Sequence, residues 1–180
     1  MTKSGRERRA KPEMSRRTAA RLAAVQAIYE MEMAERSADA VLRDFAADRW
    51  AADGTDADAE GAGAARQVDP DAAFLGDLVR GTTARLADID GMVAPALSAD
   101  WPLDRLEAVL RAILRVGAYE LFARADVPLR VIISEYVDIA HAFFDVKEAG
   151  LVNAVLDRVG RVLRPDEAGG GGDDPTTGNR

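Results

Sequence analysis

The 180-residue chain contains no cysteine, so neither a disulfide framework nor a thiolate metal site can form. It has one histidine, and only 6% of its residues are aromatic. No glycine-rich phosphate loop separates a strand from a helix, and no strand–turn–helix pattern carries a nucleophile. No apolar stretch approaches the length that spans a membrane, and no signal-peptide core is present. The sequence therefore predicts a cytoplasmic protein that is not an enzyme and needs neither a metal nor a cofactor.

Charge is distributed unevenly along the chain. Residues 1–21 hold eight basic and two acidic residues, a net charge of +6, and the remainder holds 16 basic and 29 acidic residues, or −13. A basic arm on an acidic body indicates a polyanion as the partner of the arm and a basic protein as the partner of the body. A solvated tail without a partner is the alternative for the arm.

Composition favours helices throughout, because alanine, leucine, arginine and glutamate are abundant while glycine and proline are confined to a few places. We predict an all-α domain at residues 15–165. A disordered basic arm precedes it at 1–14, and a disordered tail follows at 166–180. A glycine- and aspartate-rich segment at 51–67 is predicted to be a mobile acidic loop within the domain.

The first helix is predicted from an N-cap at Ser15 to Ala34. Its apolar residues follow a helical rhythm that predicts one buried stripe, and a second face of small residues would let another helix approach closely. The stripe is Leu22, Val25, Tyr29 and Met33, and the small-residue face is Ala20, Ala24 and Ala27. Arg17 and Arg21 are expected on the flank of the stripe.

Periodicity predicts six further helices. For the helix after residue 68, Asp69 is the expected cap and Pro70 the expected first residue. Residues 131–133 favour a strand by propensity, but the apolar pattern that continues to Phe143 favours a helix, which we predict. The other predicted helices are Ala38–Arg49, Asp88–Leu97, Leu103–Arg124 and Glu148–Leu163.

Arg16, Arg17 and Arg21 are the strongest binding candidates, because guanidinium groups on an ordered helix contact phosphates at a lower ordering cost than those on a floppy arm. Gln26 and Tyr29 follow on nearby turns and offer hydrogen bonding and stacking to an unpaired base. Tyr29 has a second interpretation, as a core residue with its hydroxyl at the rim.

Two other groups are weaker candidates. Trp101 beside Pro102 is predicted to be a packing anchor at a helix junction. Glu135, Asp138 and His141 lie at helical spacing, at which Asp138 and His141 could share a metal or a proton. A surface charge cluster is the expected interpretation, because further ligands are not indicated.

Four blocks of the sequence, in order, resemble the NusB family of transcription antitermination factors. The first is the opening pattern of Arg16, Arg17, Arg21 and the run Val25 to Tyr29. The others are Leu110–Leu121 (LRAILRVGAYEL), Ile133–Ala140 (ISEYVDIA) and Val152–Asp157 (VNAVLD). Together they cover about residues 15 to 165.

The resemblance implies about seven helices in two packed bundles and binding of single-stranded boxA-type leader RNA of ribosomal RNA operons. It also implies partnership with NusE, a ribosomal protein of the small subunit, in a complex that modifies RNA polymerase. Arg16, Arg17, Arg21, Gln26 and Tyr29 match the RNA-binding start of the family.

The chain departs from the family pattern at several positions, among them two neighbours on the expected RNA surface: Leu151 stands where the family usually has phenylalanine, and Gly150 replaces a basic residue. Lys147 is predicted to replace some of the missing positive charge on the RNA surface.

Two alternatives stay open: a NusB-like domain related to ribosomal RNA cytosine methyltransferases, and a helical adaptor that binds only proteins. The sequence leaves the oligomeric state open, with a homodimer as one option.

Overall fold

The computed structural model describes residues 14–53 and 68–169. Within these ranges the backbone forms α-helices and two short 3₁₀ segments, with no strand, which confirms the all-α prediction. The helices are α1 (Arg16–Ala34), α2 (Ala38–Asp53), α3 (Ala72–Ala84), α4 (Leu86–Val93), α5 (Ala108–Ala123), α6 (Leu129–Phe143), α7 (Val146–Leu163) and α8 (Pro165–Gly169). The 3₁₀ segments are Ala94–Ala96 and Leu103–Arg105. None of these helices is long and apolar enough to cross a membrane.

Side-chain caps fix the starts of α1 and α3. The predicted cap of α1 is confirmed, because the Ser15 Oγ accepts a hydrogen bond of 3.0 Å from the Thr18 N–H. The predicted cap of α3 is wrong by two residues. Asp71 is the cap, with its Oδ1 accepting from the Phe74 N–H at 3.1 Å, and Pro70 precedes the helix instead of beginning it.

Helix α5 is the centre of the molecule and contacts α1, α3, α4, α6 and α7. Helices α1, α2 and α3 gather on one side of it and α4, α6 and α7 on the other, in agreement with the expected pair of bundles. One continuous hydrophobic core joins the two sides. Gly117 permits the close packing, because a Cβ there would lie 2.9 Å from Leu156 and 3.2 Å from Tyr136.

The helix predicted at Leu103–Arg124 is interrupted. Leu103–Arg105 is a separate 3₁₀ turn, and Leu106 and Glu107 are extended before α5 begins. The Arg111 guanidinium donates to the carbonyls of Leu103 and Leu106, at 3.3 and 2.9 Å. This side chain therefore takes carbonyl oxygens that a continuous helix would have used for its own N–H groups.

Helix α1 buries the predicted face of small residues, whereas the predicted stripe of large residues is buried only in part. Val25 is buried, but Tyr29 is 39% exposed and Met33 is 55% exposed. The buried surface consists mainly of small residues: Ala19, Ala20, Ala23, Ala24 and Ala27, with Ile28. The small-residue face dominates because α3 and α5 both approach the helix closely.

The C-terminal end is more ordered than predicted. Residues 131–133 are helical within α6, as expected, and Pro165 begins α8 instead of ending the fold. Arg164 anchors this end: its guanidinium donates to the carbonyls of Leu121, Arg124 and Val127 at 2.7–2.8 Å. Helix α8 therefore occupies the first residues of the predicted tail, as α2 occupies the first residues of the predicted loop.

Three predicted segments fall largely outside the described residues. They are the basic arm predicted at 1–14, the acidic loop predicted at 51–67 and the tail predicted at 166–180. Of these, residues 1–13, 54–67 and 170–180 lie outside the described ranges.

Candidate nucleic-acid interface

The first turn of α1 presents two exposed arginines. The Arg16 Nε donates to the Asp69 carbonyl at 3.4 Å, and the Arg17 guanidinium lies 5.2 Å from the centre of the Phe74 ring. Phe74 belongs to α3, so both arginines lie where α1 and α3 meet. Both residues are exposed, which makes them accessible to an anion.

Arg21 does not flank the buried stripe as predicted. Its side chain is buried at 3% exposure, and its Nε and one terminal nitrogen donate to the two oxygens of Glu120, at 3.0 and 2.7 Å. A second terminal nitrogen lies 3.3 Å from a Glu135 oxygen. The inward position follows from the Ala-rich helix face on which the side chain lies. In this arrangement the guanidinium is committed to carboxylates of the core and faces no solvent-borne phosphate.

Glu120 is the acceptor at the centre of this buried network. It is fully buried, and the Tyr136 hydroxyl donates to its second oxygen at 2.8 Å. Burial, together with the charge of Glu120, raises the pKa of Tyr136 well above its ordinary value. Burial opposes the charge of Arg21, yet the bidentate bond to Glu120 outweighs it and the pKa of Arg21 is raised. The network joins α1, α5 and α6 through charge and hydrogen bonds.

The sequence offered one signal for this network that the sequence analysis did not use. Glu120 is a carboxylate within the apolar run of α5, and a buried charge requires a partner. The chain supplies that partner as Arg21.

Gln26 and Tyr29 lie exposed on the second half of α1. Arg17 and Gln26 are nine residues apart, which places them on opposite sides of the helix at about 100° per residue. Arg16 and Tyr29 are about 20 Å apart along the axis at 1.5 Å per residue. The candidates on α1 therefore form two sites on one rigid rod, not one compact cluster.

Lys147 is exposed at the start of α7, and its Nζ lies 4.9 Å from the centre of the Trp101 ring. The loop that carries Trp101 is tied to the end of α1, because Arg111 contacts that loop and also pairs with Glu32. Lys147 therefore stands beside a loop that is linked to the half of α1 that carries Tyr29.

Glu135, Asp138 and His141 do not come together as a site. The Glu135 carboxylate faces Arg21, whereas Asp138 and His141 are exposed. Across residues 14–53 and 68–169, no group of three or more histidine and acidic side chains is placed to hold a metal ion.

Comparison with known proteins assigns the family. The model of the NusB family matches residues 18–161. The chain belongs to the NusB family. The transcription antitermination protein NusB of Bradyrhizobium diazoefficiens is 46% identical over 157 residues, which covers 87% of this chain and 90% of that protein. NusB of Rhodospirillum rubrum is 49% identical over 164 residues, covering 87% of this chain and 89% of the relative.

Solved structures share the NusB fold. NusB of T. maritima superposes with a TM-score of 0.63 at 24% identity, covering 86% of this chain and 97% of that one. A NusB chain crystallised with NusE and double-stranded RNA gives a TM-score of 0.63 at 23% identity, covering 83% and 99%. These likenesses support the all-helical architecture.

The NusB-family match also divides the candidate residues. Gln26, Tyr29 and Lys147 lie within it, as does the buried Arg21, whereas Arg16 and Arg17 precede its first residue.

Proposed function

We propose that this protein is a non-catalytic transcription antitermination factor that binds boxA-type leader RNA of ribosomal RNA operons. One observation carries the RNA-binding part: the rigid helix α1 exposes Arg16 and Arg17 at its start and Gln26 and Tyr29 one to two turns from its end. Cations for phosphates and an aromatic for a base are the pair of features that single-stranded nucleic acid requires. The curated relatives are named as antitermination proteins.

The RNA is proposed to pass from the first turn of α1 to the opposite side of the helix toward its end. Arg16 and Arg17 contact backbone phosphates, since guanidinium groups bind phosphate in a bidentate manner. Gln26 donates and accepts hydrogen bonds at a base edge, and the Tyr29 ring stacks on a base. Lys147 extends the positive surface beyond the end of α1. Arg21 does not contribute to this RNA surface, because its charge is neutralised by Glu120 in the core.

The partner of the acidic body is proposed to be NusE, the small-subunit ribosomal protein, within an assembly that modifies RNA polymerase. A net charge of −13 outside the first 21 residues favours a basic partner. A solved relative was crystallised with NusE and RNA. The proposed assembly acts in the cytoplasm, where transcription occurs in bacteria.

Equilibrium binding with and without NusE tests this proposal. We expect a fluorescently labelled RNA that carries the boxA-type element to bind more tightly than its scrambled version, and NusE to tighten that binding further. Equal affinity for both RNAs at every salt concentration would contradict the proposal. Binding to NusE without any binding to RNA would instead identify a helical adaptor that binds only proteins.

Removal of the basic arm separates the two proposed surfaces. Because the body carries the acidic charge, a chain that lacks residues 1–14 should bind NusE with nearly unchanged affinity. Isothermal titration with the full-length chain as the control measures this. Loss of NusE binding on deletion would show that the arm, and not the body, holds the partner.

A further inference from the structure

The loop between the 3₁₀ segment Ala94–Ala96 and α5 holds Trp101 in a fixed position. The backbone N–H of Trp101 donates to the Ser98 carbonyl at 3.0 Å, and the backbone N–H of Arg105 donates to the Pro102 carbonyl at 2.9 Å. Arg111 holds the same loop from α5 through the carbonyl of Leu103. Trp101 is half-buried and packs against the hydrophobic core. Its ring is therefore preorganised, and little ordering is required before it can bind a ligand.

A cation covers the ring from the surface. The Lys147 Nζ lies 4.9 Å from the ring centre, within the range of a cation–π contact. The lysine is exposed, and its ammonium sits on a flexible four-carbon stem, so it can leave the ring without disturbing the fold.

A surface cavity of about 320 Å³ adjoins the same ring, bounded also by Asp100, Pro102, Arg105 and Leu106. Its size falls at the lower end of the range for small-molecule sites, about 300–1,000 Å³. Its lining combines an aromatic ring, an apolar wall, one cation and one carboxylate. A nucleobase matches this lining, since it offers a π face, an edge with hydrogen-bond donors and an attached phosphate.

We infer that Trp101 and Lys147 form a stacking subsite for one unpaired base of the bound RNA. The base displaces the Lys147 ammonium from the Trp101 ring and stacks on the indole, and the released ammonium pairs with the phosphate of that nucleotide. Arg105 provides a second cation beside the cavity, and the Asp100 carboxylate accepts a hydrogen bond from the base edge.

The position of the subsite agrees with an RNA that follows α1. Arg111 joins the Trp101 loop to Glu32, one turn beyond Tyr29 on α1. An RNA strand that leaves α1 after Tyr29 therefore meets a loop that is anchored to the same end of the helix. This inference rests on the proposed function, because it adds a contact to the same RNA.

Intrinsic fluorescence tests the subsite directly, since the chain has two tryptophans, Trp50 and Trp101. The Trp50→Phe variant leaves the Trp101 indole as the only tryptophan emitter. Titration with the boxA-type RNA is expected to quench that emission over the same concentration range in which the anisotropy of the labelled RNA rises. RNA that binds by anisotropy while Trp101 emission stays unchanged would overturn the subsite and leave the proposed function intact. No binding by either signal would contradict the proposed function itself.

Affinity measurements with paired variants provide an independent test. Trp101→Leu keeps an apolar side chain against the core but removes the π face, and should weaken RNA binding by roughly 5- to 100-fold. Lys147→Ala should weaken it less and reduce its salt dependence. Arg161→Ala is the matched control, because it removes an exposed cation near the other end of α7, where Arg161 pairs with Asp157 at 2.7 Å. An equal effect of Lys147→Ala and Arg161→Ala would contradict a specific role for Lys147.

Discussion

Arg21 carries its charge into the core because Glu120 accepts two of its N–H groups. The Arg21 guanidinium and the Glu120 carboxylate would each be costly to bury alone. Their mutual attraction offsets that cost only while both are present. The third member, Tyr136, satisfies an oxygen of Glu120 that Arg21 shares. The network therefore stabilises one arrangement of α1, α5 and α6, and it explains why an arginine of the opening pattern is not at the surface.

Loss of one partner of the ion pair should be far more damaging than loss of both. Glu120→Leu leaves the Arg21 guanidinium buried with only the Glu135 carboxylate nearby, and should lower the free energy of unfolding by about 3–5 kcal/mol. The double variant Arg21→Met with Glu120→Leu should recover most of that loss. Denaturant unfolding of both variants checks this. A double variant as unstable as the single one would show that the charges are not coupled.

The raised pKa of Tyr136 predicts how the free energy of unfolding changes at alkaline pH. Its pKa in the folded chain is raised above the ordinary value of 10, so the unfolded chain loses the phenol proton first as the pH rises. The contribution of this hydrogen bond is therefore complete below pH 10 and declines as the pH rises from 10 toward the folded pKa. The free energy of unfolding should fall more steeply in this range for the native chain than for Tyr136→Phe. If the free energy of unfolding falls equally steeply in both proteins, groups other than Tyr136 cause the pH dependence.

Among the elements, α3 and α5 meet at a glycine that has no room for a side chain. A Cβ at Gly81 would lie 1.9 Å from the Tyr119 ring, whose hydroxyl is itself fixed by a 3.0 Å hydrogen bond to Asp77. The ring cannot move without loss of that bond. The contact sets the distance between the two helices.

Gly81→Ala should therefore destabilise the fold by about 1–3 kcal/mol through overpacking, despite the better helix propensity of alanine. Gly150→Ala is the control, since a Cβ there meets nothing within 4 Å and the change should be neutral or stabilising by up to about 1 kcal/mol. Thermal unfolding of the two variants measures the difference. Equal unfolding temperatures for the two variants would show that the Tyr119 ring can move aside without destabilising the fold.

Periodicity predicted the helices well where one apolar stripe decides the packing. It selected a helix for residues 131–133, and α6 runs through them. It did not predict the interruption before α5, because the cause is a long-range contact of Arg111 with carbonyls that precede the helix. Periodicity also predicted that Tyr29 and Met33 are buried, because large apolar residues dominate a sequence pattern. In the structure both are exposed, because the alanine face lets neighbouring helices approach more closely than the stripe does.

The candidate interface was also predictable only in part, because long-range contacts decide which side chains reach the surface. Arg16, Arg17, Gln26 and Lys147 needed no tertiary information to be placed at the surface, and the structure exposes them. Arg21 required knowledge that Glu120, 99 residues away in the sequence, points at it from α5. A single sequence contains both residues but does not show that they pair.

At the scale of the whole molecule, a rigid helical body presents cations at the start of α1. The basic residues near the N-terminus and the acidic remainder give the chain two regions of opposite net charge. Within the body, many acidic groups already pair with arginines, as Asp77 and Asp126 do with Arg124. Arg124 holds the pKa of the Asp126 carboxyl down, at about 2, so this pair stays ionised in any physiological buffer.

The salt dependence of RNA affinity tests the central claim most directly. If Arg16 and Arg17 each neutralise one phosphate of a single strand, Ala replacement of both should reduce the slope of log affinity against log salt by about 1.4, at about 0.7 per phosphate. Arg161→Ala should leave the slope unchanged, and the double variant should unfold like the native chain because both arginines are exposed. A slope that stays the same in the folded double variant would contradict the account, since the start of α1 would then contact no phosphate.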